Sequence, residues 1–285
     1  MIKKINYLIQ TIIIYVFFLA GRLLGLKLSR KLFSFLFLMI GPYIKSNRTI
    51  NNNLNKFSTT MSSSEKNSLI KEMWKNYGMT FIEYIYLDYF RKRKNHISIE
   101  GEHYLNDVVK KKKPVIFISG HFANFELMSM EITKKNINLA TIYRPLNNFF
   151  LNPFMVYLRK KYVCKNQIQK GVVGVREAIQ FIKKNHSIAL MIDQRVSEGE
   201  KINFFNFPAL TTTLPAQLAF KFDLSIVPVF IKRVKDNNFN IEFHKEINPN
   251  EFNNKIDLTN KLNFILEKMI EKNPGQWIWT HNRWK

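Results

Sequence analysis

Cysteine occurs once in the 285 residues, at Cys164. No disulfide can form within the chain and no cysteine-rich zinc site can be built, which points to a reducing, cytoplasm-facing body. Acid is also scarce: 21 Asp and Glu stand against 44 Lys and Arg, a formal charge of +23. Such an excess suits nucleic acid, an acidic carrier protein or a phosphorylated lipid at an anionic membrane, where each nearby basic residue adds about 1 kcal/mol. The chain is rich in Lys, Asn and Ile as a background bias, so charge alone does not choose among them. No GxGxxG, Walker, HExxH or GxSxG pattern is present, nor an internal repeat. Nucleic acid is set aside as a partner because neither a helix-turn-helix pattern nor a platform of interleaved aromatic and basic residues is found.

What the sequence does have begins at the N-terminus, where Ile5 to Ala20 reads INYLIQTIIIYVFFLA without a charge. As a helix it covers about 24 Å, slightly short of a bilayer core. It is expected to span, to tilt into one leaflet, or to form a hairpin with Leu32–Ile40. Lys3 and Lys4 ahead of it also fit a signal peptide. Against that, a second apolar stretch, KLFSFLFLMIGPYI, follows at once, and Arg22, Lys27, Arg30 and Lys31 sit directly after the first. Four basic residues outweigh two and hold the rest of the chain in the cytoplasm, facing anionic headgroups of the inner leaflet. Residues 1–46 are thus read as a membrane anchor and 47–285 as one catalytic domain.

Asn47 to Ser68 is polar and reads as a linker with a short helix. Ser64 or a neighbour caps a helix expected from Glu65 to about Phe90. From Ile97 short apolar runs alternate with helix-like ones: strands at Ile97–Glu100, Val115–Ser119, Leu139–Tyr143, Ile188–Asp193 and Ile226–Ile231, with helices at Tyr104–Lys112, near Asn124, Ala178–Lys184 and Ala216–Phe222. This is the pattern of an α/β fold with a central, largely parallel sheet flanked by helices. Val115–Ile118 and Ile188–Ile192 are apolar on both faces, as central strands covered on both sides should be.

The chemistry gathers in PVIFISGHFANFE, residues 114–126, a strand that turns at Gly120 into a helix. In open α/β sheets reacting groups collect beyond the carboxyl ends of central strands. A helix N-terminus favours a neutral imidazole, which makes His121 a usable base, and a carboxylate one turn on, Glu126, is placed to orient it. Capping and first-turn acid are the plain structural uses of the same two residues. Arg144 ends the strand Leu139–Tyr143 and suits a phosphate or an oxyanion, and Arg159, in the run Arg159-Lys160-Lys161, is a second candidate of that kind. Asp193 and Gln194 end another strand, expected on the same rim. Asp193 is read as anchoring Arg144 or Arg195 and Gln194 as orienting substrate, both counted as substrate-binding or site-supporting, with simple loop capping as the alternative. Asn124 or a backbone amide is a candidate donor to an oxyanion.

SGHFANFELM followed by TIYRPLNN resembles the H-x4-D/E block and the next arginine block of the bacterial lipid A late acyltransferases. LMIDQ at 190–194, the stretch INFFNFPALTTTLPAQLAFKFDLSIVPVF and the C-terminal GQWIWTHNRWK follow in the family's order. The resemblance covers about Lys113 to Lys285. It implies an acyltransferase at the bacterial inner membrane, with His121 as general base and Glu126 as its orienter. The implied donor is an acyl chain on acyl carrier protein, and the acceptor is a hydroxyl of a phosphorylated glucosamine lipid A precursor. No metal or cofactor is implied. Asn206 stands where a glycine usually follows the two phenylalanines, and Asn tolerates the left-handed geometry such a turn needs. The broader superfamily shares the H-x4-D/E block, so a lysophospholipid or glycolipid acceptor is the nearest rival. A noncatalytic basic membrane-binding protein is the rival from another class. Lone Cys164, away from the His block, is not expected to act as a nucleophile. Trp277, Trp279, His281, Arg283 and Trp284 read first as packing, then as an interfacial belt or lid.

Overall fold

A computed structural model describes residues 2–93 and 95–285. Met1 and Lys94, the last of the basic run Arg91–Lys94, lie outside the described residues. The N-terminal apolar sequence forms α1 (Ile2–Ile44), long and apolar enough to cross a membrane. It is bent, however. Gly25 takes φ 72, ψ 162, a backbone geometry that a residue with a Cβ adopts only under strain. The Phe17 and Phe33 rings consequently lie 5.6 Å apart, whereas a straight helix would part them by about 24 Å. The Ser29 hydroxyl sits in the bend, 2.5 Å from the Gly21 carbonyl and 2.7 Å from that of Gly25. Of the three arrangements expected from sequence, α1 adopts the hairpin.

Both arms lie against the body. Tyr15 meets Phe154, Phe18 meets Phe81, and Arg22 forms a two-pronged ion pair with Asp88. In the second arm Phe33 meets Phe81 and Arg30 pairs with Glu83. Two of the four basic residues expected to face headgroups, Arg22 and Arg30, are therefore spent on ion pairs, while Lys27 and Lys31 stay exposed. The outward side of the first arm, including Ile5, Ile9, Ile12, Ile13 and Val16, remains exposed and apolar.

After α2 (Asn47–Phe57) comes α3 (Ser63–Glu83), opened by a capping box in which the Glu65 amide donates to the Ser62 hydroxyl and the Glu65 carboxylate accepts from the Ser62 amide. The single helix expected to run to Phe90 breaks into a 3₁₀ turn at Tyr84–Tyr86 and α4 (Leu87–Lys92). The α/β region follows as β1 (Ile97–Glu100), α5 (Glu102–Lys111), β2 (Ile116–Ser119), α6 (Glu126–Lys134), β3 (Leu139–Tyr143), α7 (Asn152–Leu158), β4 (Asn166–Gln169), α8 (Val172–Lys183) and β5 (Ser187–Met191). The chain continues as β6 (Glu200–Phe204), β7 (Phe207–Thr211), α9 (Leu214–Phe222), β8 (Ile226–Arg233), β9 (Phe239–Phe243) and α10 (Lys255–Lys272).

Seven strands make one sheet in the order β1-β9-β8-β2-β5-β3-β4, parallel at every step except β8 against β9. All four residues of β2 are buried, as its continuous apolar run requires. The carboxyl ends of β2, β5, β3 and β4 share one rim. From β2 the chain fills β3, β4 and β5 on one side before crossing to β8 on the other, so the crevice for a ligand opens beside β2. β6 and β7 form a separate hairpin whose two-residue turn has φ 50 at Phe205 and φ 62 at Asn206. Asn206 thus carries the left-handed geometry without glycine.

Candidate active site

The register of β2 against β5 builds the site. Ser119 lies opposite Met191, so two residues further on His121 comes opposite Asp193. The buried Asp193 carboxylate accepts from the His121 backbone N–H at 2.7 Å and meets Nδ1 of the ring at 2.7 Å. Trp277 Nε1 donates to the same carboxylate at 2.8 Å. Burial works against the charge of Asp193, but His121 and these donors outweigh it and hold its carboxyl below the usual carboxylate range. An ionised carboxylate only accepts. The network therefore assigns the proton to Nδ1 and leaves Nε2 of His121 as the basic nitrogen.

The expected contact between Glu126 and His121 is not made: no hydrogen bond joins the two side chains among the described residues. The helix opens at Glu126, its first turn closing on the Asn124 and Phe125 carbonyls, and it is preceded by Phe122, which bridges to Trp277, and by Ala123 at φ 40. Residues 121 and 126 are therefore not neighbours on a helical turn. Glu126 turns instead to Arg159, whose guanidinium approaches to 2.6 Å, and accepts from the Tyr84 hydroxyl at 2.7 Å. Arg159 stands on a π-helical turn, Arg159–Val163. Burial opposes its charge, yet Glu126 more than offsets this and raises its pKa. Burial likewise pushes the Tyr84 hydroxyl up, so it stays a donor.

His121 lines a cavity of about 620 Å³. One part of its wall is apolar, from Phe81, Met128, Leu151 and Met155 together with Phe18 of α1. Elsewhere the wall carries Arg144, Lys170, Gln194 and His281.

The sequence matches the family described as bacterial lipid A biosynthesis acyltransferase over residues 2–285. The chain belongs to that family. A lipid A biosynthesis acyltransferase of Haemophilus influenzae is 22% identical over 234 residues, 79% of this chain and 73% of the relative. The crystal structure of the 1-acyl-sn-glycerophosphate (LPA) acyltransferase PlsC from Thermotoga maritima aligns over 87% of this chain and 98% of its own, at 17% identity and TM-score 0.44.

In this acyltransferase the residues singled out by sequence divide. His121, Glu126, Arg144, Arg159 and Gln194 line the cavity, and Asp193 lies directly behind His121. Asp193 was expected to hold an arginine; it holds the histidine. Asn124, a candidate oxyanion donor, is fully buried and its side-chain nitrogen donates to Glu83 at 3.1 Å, which keeps it out of the cavity. Cys164 is buried outside the site, its thiol pushed up to about 11 by burial. Trp277 and Trp279 are packed, as their default reading held, but Trp277 is also a donor to Asp193. His281 faces the cavity, accepts at Nε2 from the Arg195 backbone N–H at 3.0 Å, and is pushed down to about 4, chiefly by burial. Its only sequence signal was its place in the terminal block GQWIWTHNRWK.

Proposed function

We propose that the protein transfers a fatty acyl chain from acyl carrier protein to a hydroxyl of a phosphorylated glucosamine lipid A precursor at the cytoplasmic face of a bacterial inner membrane. The observation that carries this reading is His121, held at Nδ1 by a buried carboxylate and bordering a cavity that is apolar on one side and cationic on another.

Nε2 of His121 takes the acceptor hydroxyl's proton as its oxygen attacks the thioester carbon. The C–S bond then breaks, and the imidazolium returns the proton to the leaving thiolate. Asp193 stabilises that imidazolium and keeps the ring in one tautomer. The acyl chain lies among Phe81, Met128, Leu151 and Met155. Arg144 and Lys170, which line the cavity, meet the phosphate in this reading, and Gln194, also in its wall, donates to the developing oxyanion. Glu126 keeps Arg159 charged and fixed in the wall. The basic excess suits an acidic carrier protein, and the apolar outer side of α1 suits lipid.

The test supplies the purified full chain with a carrier-protein thioester and, in parallel, a tetra-acylated disaccharide bisphosphate or a lysophospholipid. Acylation of the disaccharide, lost in His121→Gln, is expected. Acylation of the lysophospholipid alone would overturn the acceptor, and no transfer to either would overturn the reaction.

A further inference from the structure

The loop between β3 and α7, residues 144–151, turns three large apolar side chains outward. Phe149 is 48% exposed, with Phe150 and Leu146 each at 38%. Their exposure is not the result of a loose chain, because Asn148 is buried and ties the loop down. Its Oδ1 accepts from the amides of Phe150 and Leu151 at 3.1 and 3.3 Å and from the Thr11 hydroxyl at 3.1 Å. Its Nδ2 donates to the Tyr7 carbonyl of α1 at 2.8 Å. The Leu146 amide donates to Asn152 and the Asn152 amide to the Asn148 carbonyl.

Phe149 is thereby set edge-on to Tyr7 of α1 at 6.0 Å, with Lys3 over the other partner of that pair. Phenylalanine, tyrosine and lysine side by side, next to the exposed isoleucines of the first arm, is the composition of a membrane interface, where lysine stems lie along apolar surface and keep their charge in water. The amides of Leu146, Phe150 and Leu151, satisfied within the loop, can also enter a layer that offers them little water. An acidic carrier protein would call for clustered cations, whereas residues 145–150 carry none.

We propose that residues 145–150 are a second lipid-inserting element, docked on α1, which opens the His121 cavity at the bilayer surface. Pro145, Leu146 and Asn147 line that cavity, so a lipid acceptor passes from the bilayer to His121 along this loop. The inference rests on the membrane reading of α1.

Buried Cys164 leaves the native chain without an accessible thiol among the described residues, so single introduced cysteines report cleanly. In the full chain bound to phosphatidylethanolamine and phosphatidylglycerol vesicles, a fluorophore is placed at Phe149→Cys, at Ile13→Cys on α1, or at Phe264→Cys on α10, a phenylalanine 50% exposed. Lipids spin-labelled near the headgroup are expected to quench the probes at 149 and 13 at least twofold more than the probe at 264. Quenching at 13 with position 149 no different from 264 would overturn the loop proposal and leave the anchor standing. Quenching at neither would remove the membrane reading and the loop with it. A probe at 149 shielded from a water-borne quencher but untouched by spin-labelled lipid would point to a protein partner and overturn the proposal.

A second measurement uses Phe149→Asp with Phe150→Asp. Turnover of acceptor embedded in vesicles is expected to fall about tenfold, with detergent-dispersed acceptor within about twofold of the parent. An equal loss in both assays would assign the two rings to the cavity instead and overturn the proposal.

Discussion

Asp193 grips His121 at two points, the backbone N–H and ring Nδ1, each at 2.7 Å, so one buried carboxylate fixes both the loop and the imidazole it carries. Trp277 brings the C-terminal segment onto the same carboxylate. Base, loop and terminus are thus held together at one point behind the cavity.

Glu83 does similar work beneath the site. It is fully buried, pairs with Arg30 of α1 and Arg233 of β8, and accepts from Asn124 in the His121 loop. Burial opposes its charge, but Arg233 and Arg30 outweigh this and keep its carboxyl below the usual range. Its stabilisation is therefore present at neutral pH and is lost only as pH falls through that depressed value. Glu83→Leu leaves two buried guanidinium groups without their partner, and a loss of about 3–5 kcal/mol in denaturant unfolding is expected. A loss under about 1 kcal/mol would contradict the pairing.

Gly78 lets α1 approach α3. A Cβ there would lie 2.1 Å from the Phe33 carbonyl oxygen, a backbone atom that no rotamer change can move. Gly78→Ala is expected to push the second arm of α1 outward, at about 1–3 kcal/mol, with faster proteolysis between residues 25 and 45. Unchanged unfolding and cleavage would show that the hairpin is not held at this crossing.

His96 is buried beside Phe90, its ring nitrogens without a hydrogen-bond partner among the described residues. Burial, with Lys134 and Arg30 adding to it and Glu83 opposing, pushes it from 6.5 down to about 4. Between those values the unfolded chain binds a proton that the folded chain does not, so stability is full above about 6.5 and is lost as pH falls toward 4. His281 has the same sign. His96→Phe is expected to be at least as stable as the parent near neutrality and to lose less between pH 7.5 and about pH 5, read from denaturant midpoints. An identical loss in both proteins would contradict this.

Local signals made much of the fold legible. The unbroken apolar run of β2 announced a central strand, the turn after it located the base, and two apolar stretches separated by charge allowed the hairpin of α1. β4, with the sequence NQIQ, is an edge strand too polar to register as one. The β6–β7 hairpin sat inside a stretch read only as a family block, and β9 lay between the quoted blocks and received no reading. The site was half legible, because the contact between His121 and Asp193 joins residues 72 positions apart and depends on β5 lying next to β2 in a particular register. Glu126 was close in sequence, but a left-handed residue at Ala123 precedes the helix and that carboxylate turns toward Arg159.

The most direct measurement is transfer turnover in Asp193→Asn, His121→Gln, the double variant and Glu126→Gln, each confirmed folded by its unfolding transition. If Asp193 acts through His121, each of those two substitutions costs about 10²–10⁴ in kcat and the double variant falls no further than His121→Gln alone. A folded Asp193→Asn enzyme that keeps its turnover, beside a folded Glu126→Gln enzyme that has lost it, would contradict the pairing on which the mechanism stands.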